Sequence, residues 1–440
     1  MSTSFTMDKQ TLEELNLLGK FRNGSVYGLF GNTRTRGGER LLDDMFRRPL
    51  ADADAINDRS AVFQHFQRAD LKFPFDVQQV ILMREYLDTR TGKYPVLVYA
   101  NTVVKRMLSS LVGDEQFKRN IQGLQATILL LNKCFDFVQK NDFQGCSFGM
   151  RSTEIKKILS EKAIEKIRNT NIYKDLTSRT IAFFDTVLKG KLYPQMESIL
   201  SFVYETDVNI AVSEVAGRRG FCYAKALPEK ANIFSVTDVF HPCVSNAVGN
   251  SIELGRDQNV LFLTGANMAG KSTLMKAIGV SLYLAHMGFP VAAGRMEFSV
   301  REGLYSSINV ADNIGMGYSH FYAEVVRVKR AAEAAAKGRR LLLMFDELFK
   351  GTNVKDAFDG TLAVTEGFSE YRNCLFIVST HIIEVGEALK GRSNIRFGYM
   401  PTVMDGLHPL YTYKMKEGIT EDRQGMMIIR DEGILDLLNS

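Results

Sequence analysis

The sequence predicts two architectures in one chain: an all-α first half and an α/β second half built on a mostly parallel sheet. Three observations carry this. Up to about residue 205, apolar residues recur at helical spacing between capping and stop residues. After that come three uninterrupted apolar runs parted by helical sequence, "VLFLT" (260–264), "LLLMF" (341–345) and "LFIVS" (375–379). Strands buried on both faces of a parallel sheet read this way. The first of these runs leads through a glycine loop directly into a helical stretch. With the change of character between 205 and 235, the expected domains are 1–205 and 206–440.

In the first half, Thr11 and Glu14 have capping-box spacing before Leu15, Leu17 and Leu18, and Gly19 is a stop. Leu41, Leu42, Met45 and Phe46 share a helical face that Pro49 ends, and Asp52 or Asp54 caps a restart at "ADADAIN". Phe117, Ile121, Leu124, Ile128, Leu131, Phe135 and Val138 are spaced alternately by four and three residues. That seam fits either a long helix laid along another long helix or one core helix of a compact bundle. "SEKAIEKIRN" and the stretch from 188 to 203 are further helices. In the second half, "RVKRAAEAAAKG" is an alanine-rich helix with Gly338 as its stop.

The net charge of +5 over 440 residues permits an anionic partner without requiring one. Five cysteines without C-x-x-C spacing predict reduced thiols and argue against a zinc site or a disulfide framework. The N-terminus lacks the apolar stretch of a signal peptide, and "IGVSLYLAHMGFPVAAG" reads as a buried helix and its connection, with His286 in its middle. A cytoplasmic protein without a membrane span is expected.

Gly265 through Ser272 fits G-x-x-x-x-G-K-[ST]. Between a strand and a helix, the backbone of Gly265, Ala266, Asn267, Met268, Ala269, Gly270, Lys271, Ser272 and Thr273 can cradle phosphates on N–H groups. Lys271 would reach the β- and γ-phosphates of a nucleotide and Ser272 would hold Mg²⁺ through its hydroxyl. "LLLMFDELF" delivers Asp346 and Glu347 at the C-terminal end of a buried strand, which in a parallel sheet faces the same crevice. Asp346 is assigned to the metal and Glu347 to the attacking water. His381, ending "LFIVSTH", is assigned as a γ-phosphate sensor. Alone, a terminal Asp-Glu reads as an acidic turn and a lone histidine as a packed residue; convergence on one crevice favours the catalytic reading.

"GANMAGKST", "GYSHFYAEV", "LLLMFDELFKGTNVKDA" and "STHIIEV", in that order, resemble the motifs of the MutS family of DNA mismatch repair ATPases. Ser319, Phe321 and Glu324 match the family's S-x-F-x-x-E element, and "GTNVKD" matches its G-T-[ST]-x-x-D loop with Asn353 in place of the hydroxyl. "HPCV" at 241–244 is similar to a His-Pro element of the same domain. In the helical half, "T-x-x-G-x-R-L-L" and "R-P-L-x-D-x-x-x-I-N-x-R" resemble the start of the family's core domain. "ETDVNIAVSEVA" resembles the return of its lever helices.

The resemblance covers about 15–66 and 205–400 and implies a helical core/lever domain followed by an ABC-type P-loop ATPase domain. It implies an ATPase using ATP and Mg²⁺, working as a homodimer, with Ser319 acting in trans on the partner's nucleotide. It also implies DNA as partner, mismatched, branched or otherwise distorted, in repair or recombination.

There are departures. About fourteen residues precede the core-domain likeness, so the family's N-terminal mismatch-recognition domain is expected to be missing. The F-x-E at Phe368–Glu370 is expected on a helix surface, and the 67–205 stretch is short for a full DNA clamp. Ala266 and Ala269 stand where the family has Pro and Gly, and Val248 stands where it has an adenine-stacking aromatic. Basic pairs Arg34/Arg36, Lys156/Lys157, Lys189/Lys191 and Arg218/Arg219 are candidates for DNA phosphates, but each reads first as a solvated surface pair, since phosphate binding needs several on one face. The alternative function, from another class, is an ATP-gated dimeric scaffold that binds a protein and no DNA. A small-molecule kinase is the weakest reading, since no acceptor-binding constellation accompanies the loop.

Overall fold

A computed structural model describes residues 4–19, 24–89, 95–112, 115–172, 174, 176–308, 320–405 and 408–420. The helices are α1 (Lys9–Glu14), α2 (Val26–Phe30), α3 (Arg36–Arg47), α4 (Ala53–Arg68), α5 (Val77–Asp88), α6 (Pro95–Val112), α7 (Glu115–Lys140) and α8 (Phe148–Leu159). They continue with α9 (Lys162–Arg168), α10 (Ser178–Thr186), a π-helical turn at Val187–Lys191, and α11 (Tyr193–Arg219). Short strands follow: β1 (Cys222–Tyr223), β2 (Lys225–Leu227), β3 (Phe234–Val239) and β4 (Asn250–Leu254). The chain goes on with β5 (Val260–Gly265), α12 (Lys271–His286), β6 (Pro290–Val291), β7 (Arg295–Ser299), β8 (Gly303–Ser307) and α13 (His320–Ala336). Last come β9 (Leu341–Asp346), α14 (Val354–Ser369), β10 (Leu375–Ser379), α15 (Ile383–Leu389), β11 (Ile395–Met400), β12 (Thr402–Asp405), β13 (His408–Tyr411) and β14 (Lys416–Glu417).

Two compact units result, neither of them a single stretch of chain. One holds residues 1–30, 45–60 and 215–440; the other holds 31–44 and 61–214.

The helical unit has a core rich in phenylalanine, in which Phe66, Phe143, Phe148 and Phe202 are in ring contact in series. The α7 seam belongs to this bundle. Leu124, Ile128 and Leu131 are fully buried, and so are Leu130 and Cys134 off the seam, as in a helix enclosed on more than one side. Gly123 lets α5 come close: a Cβ there would stand 2.7 Å from the Tyr86 Cβ.

Two sequence elements far apart in the chain meet in this unit. The buried Asp207 carboxylate accepts from the Arg34 main-chain N–H (3.0 Å) and from the Thr35 N–H and hydroxyl (both 2.7 Å). Thr35 in turn caps α3 by accepting from the Gly38 N–H at 2.9 Å. A Cβ on Gly38 would fall 2.5 Å from Asp207, so the glycine makes room for the carboxylate. Asp207→Ala strands three donors in the interior. We expect a loss of about 2–3 kcal/mol in the stability of the helical unit, read by urea unfolding.

In the other unit, β11, β5, β10, β9 and β8 form a parallel sheet in that order, with β14 antiparallel on the β11 edge. The three apolar runs are its central strands β5, β9 and β10, with interiors buried on both faces. Thr6 covers the β8 edge: it bridges Gly303, accepting from Leu304 and donating to Glu302. A second sheet runs β2-β7-β3-β4.

The start of this unit differs from expectation. Asp8 caps α1 by accepting from the Thr11 N–H at 2.8 Å, so the helix begins earlier and Thr11 lies inside it. Glu14 closes no capping box; its carboxylate takes Ser306 Oγ and the Ile308 N–H. Asp52 makes the expected cap on α4.

Helix α12 is buried along nearly its whole length, and no helix among the described residues is long and apolar enough to cross a membrane. His286, fully buried, faces the Leu50 carbonyl through Nδ1 (2.8 Å) and accepts the Arg301 N–H at Nε2 (3.3 Å). Burial pushes its pKa down to about 3, against the Leu50 carbonyl and with the help of Arg301. A depressed histidine contributes stability that is present above the unfolded value near 6.5 and is lost as pH falls toward 3. Between pH 7 and pH 5 the wild type should therefore lose about 2 kcal/mol more than His286→Gln, measured by denaturant unfolding at both pH values.

Candidate active site

The register of the parallel strands builds the site. Ser379 of β10 pairs with Leu263 of β5 on one side and Asp346 of β9 on the other. The chain therefore leaves all three strands at one level, on the C-terminal edge of the sheet where such folds place their ligands. From β5 comes the glycine loop, from β9 the Asp346–Glu347 pair, and from β10 His381.

The loop depends on its glycines. Gly265 and Gly270 have φ of +142° and +101°, and a Cβ on Gly265 would meet the Met400 carbonyl at 3.0 Å. Met268 also has positive φ (+70°) and projects 78% exposed, with Asn267 exposed beside it. The small side chain of Ala269 is buried, and the Ala269 N–H closes a turn onto the Ala266 carbonyl at 3.3 Å. The two alanines thus leave the loop intact.

Lys271, 5% exposed, donates from Nζ to the Gly265 (2.8 Å) and Ala266 (3.0 Å) carbonyls. Burial lowers its pKa, while Asp346 and Glu347 oppose the shift. Ser272 Oγ donates to one oxygen of Asp346, and Ser379 Oγ donates to the other at 2.7 Å. A hydroxyl and a carboxylate so joined are the oxygen ligands that Mg²⁺ takes alongside substrate phosphates and water. Among the described residues no group of three or more His, Cys, Asp or Glu side chains could hold a metal, so a cation here depends on such added oxygens.

Glu347 sits in a strained turn with φ of +51°, anchored by its N–H to the Ser379 carbonyl at 2.8 Å, and Phe349 two residues on has φ of +63°. Its carboxylate lies 3.6 Å from His381 Nδ1 and 3.9 Å from Lys350 Nζ. His381 holds the carboxyl below its ordinary range, against the effect of burial and with help from Lys271 and Lys350. The group is an ionised carboxylate beside a cationic loop.

Ser319 lies outside the described residues, and of the matching element Phe321 and Glu324 are described. Phe321 packs edge-on against Phe349 at 6.0 Å, and a Cβ on Gly351 would come within 3.3 Å of it. Phe321 thus docks on the loop after the acidic pair. There Asn353, standing in place of the hydroxyl, caps α14 by accepting from the Asp356 N–H at 2.9 Å and donating back to its carboxylate at 2.6 Å.

Beside the loop is a cavity of about 410 Å³ lined by His241, Val248, Met268, Gly270, Thr273 and Tyr413, among others. Tyr413 is the residue sequence reasoning missed. Asn250 carries it there by donating to the Tyr413 carbonyl (3.0 Å) and accepting from the Met415 N–H (2.7 Å). A Cβ on Gly270 would stand 3.0 Å from its ring. Val248 therefore shares its cavity with an aromatic ring from the far end of the chain.

Two expectations are corrected. Phe368 is on no helix surface: it is 4% exposed and stacks between Phe345 and Phe376, as part of the sheet's core. Lys189 is no surface cation: its side chain is 3% exposed and donates to Thr89 and Asn120 (both 2.7 Å), next to Asp185 at 3.5 Å. The π-helical turn at Val187–Lys191 turns it inward.

Residues 10–213 match the family model described as MutS domain III, and residues 261–436 match MutS domain V. The DNA mismatch repair protein spellchecker 1 of Drosophila melanogaster is 25% identical over 251 residues, covering 56% of this chain and 26% of that protein. The DNA mismatch repair protein MutS of Wolbachia pipientis wMel is 28% identical over 233 residues, 52% of this chain and 27% of the relative. MutS of Pseudothermotoga lettingae is 22% identical over 514 aligned positions, 97% of this chain and 63% of the relative. The fold and matched domains together define a mixed α/β protein with MutS domains III and V. The chain belongs to the MutS family. It spans about a quarter of the first two of these relatives and 63% of the third.

Proposed function

We propose that this chain is a DNA-binding ATPase of the MutS family, in which ATP binding and hydrolysis at a Walker-type site switch its hold on mismatched, branched or distorted DNA. The observation that supports this best is the Ser272–Asp346–Ser379 chain of hydrogen bonds, with Lys271 and Glu347 on the same sheet edge. In this reading the loop from Gly265 to Thr273 takes the phosphates on its N–H groups and on Lys271. Ser272 and Asp346 hold Mg²⁺, which when bound neutralises charge on the phosphates. Glu347 orients and deprotonates water, and His381 keeps Glu347 ionised while sensing the γ-phosphate. Tyr413 offers a ring face to the base in the neighbouring cavity.

In the same proposal, residues 1–205 form the core/lever part and 206–440 the ABC-type ATPase part; the compact unit that holds residues 215–440 also takes in 1–30 and 45–60. The working form is a homodimer in the cytoplasm, with Ser319 reaching the partner's nucleotide. The DNA test is binding of duplex, mismatched and four-way-junction DNA at two salt concentrations, with and without ATP. Binding that weakens with salt and changes with nucleotide supports the reading. No binding at low salt removes DNA from it and leaves a nucleotide-gated protein scaffold.

A further inference from the structure

A second charged feature lies at the opposite edge of the same sheet. Arg301 precedes β8, Arg340 precedes β9 and Cys374 precedes β10, three adjacent parallel strands. Arg301 is 1% exposed, among the largest side chains fully enclosed in the protein. Its Nη1 donates to Asn232 Oδ1 (2.5 Å) and to the Asn373 carbonyl (3.1 Å). Its Nε and Nη2 are buried and have no hydrogen-bond partner among the described residues, and neither has the buried Nε of Arg340. Nε and Nη2 form one edge of the guanidinium, with two N–H bonds side by side, the fork with which arginine grips an anion.

Among the described residues none supplies an anion to this fork. Arg340 engages the nearby carboxylates, pairing with Glu229 at 2.6 Å and Glu302 at 3.4 Å. The Cys374 thiol donates to the Arg339 carbonyl at 3.0 Å, and burial raises its pKa, so it stays neutral. His286 spends Nε2 on the Arg301 main-chain N–H and is neutral as well. Burial, with Arg340 adding to it, draws the Arg301 guanidinium down to about 10, which still leaves it charged at neutral pH. A buried cation without a counter-ion is strongly disfavoured.

We propose that the Nε–Nη2 edge of Arg301 holds a buried monatomic anion, chloride under ordinary conditions, with Arg340 contributing to the favourable potential. The enclosure selects a small ion: His286 and Cys374 are fully buried and Asn232 is 6% exposed, and one atom can accept both N–H bonds of the fork. The site would tie together the starts of β8, β9 and β10, the last two of which lead at their far ends to Asp346 and His381.

The test uses the whole chain. Crystals grown in bromide should show an anomalous peak within hydrogen-bonding distance of Arg301 Nε and Nη2. At constant ionic strength, exchanging gluconate for chloride should raise the unfolding midpoint by about 2–4 °C per tenfold increase in chloride above its dissociation constant. Arg301→Met should lose that dependence. A water without anomalous signal at the fork overturns the proposal, as does a halide effect of equal size in Arg301→Met. Should that variant not fold, the bromide experiment on the wild type decides alone.

Discussion

Glu347→Gln should lower ATP turnover by about 10²–10⁴-fold while nucleotide affinity stays within a few-fold of wild type. The amide keeps the size and the main-chain anchor to Ser379, so the turn with φ of +51° survives. It removes only the basic carboxylate that His381, 3.6 Å away, holds in its ionised form. The groups proposed to take the phosphates are untouched, because Lys271 donates to the Gly265 and Ala266 carbonyls. Phosphate release and a fluorescent-nucleotide titration on the same preparation separate the two effects. Unchanged turnover would move the base elsewhere.

Lys271→Ala should do the converse and weaken ATP binding by about 100-fold, the loss of charge-assisted hydrogen bonds worth about 3 kcal/mol. Stability should not suffer in proportion. The ammonium is buried and desolvated, its two acceptors are loop carbonyls, and removing a buried charge can even stabilise. The unfolding midpoint, measured beside the binding titration, should stay level or rise. A large fall in that midpoint would mean that Lys271 chiefly holds the loop together.

The parts of this account legible in the sequence are those where local chemistry dictates the outcome. Strands β5, β9 and β10 could be read because a strand covered on both faces needs no polar residue along its length. The loop could be read because only glycine takes φ near +142° and +101° without strain. From strand ends the convergence of Lys271, Asp346, Glu347 and His381 followed by topology. What remained hidden depends on contacts between distant segments. Tyr413 is brought to the loop with the help of Asn250, far from it in sequence. Lys189 looked like half of a surface pair until a π-helical turn faced it to Thr89 and Asn120. Phe368 looked like a helix surface because its stacking partners, Phe345 and Phe376, come from two neighbouring strands. Thr11 mimicked a cap since Asp8, three residues earlier, takes its N–H instead.

The most direct test of the central claim is steady-state phosphate release from ATP by the purified chain in Mg²⁺, with and without four-way-junction or mismatched DNA. The account predicts turnover that requires Mg²⁺, is changed by DNA and disappears with Glu347→Gln. ATP bound but never hydrolysed under any of these conditions, or turnover indifferent to Glu347, would contradict it.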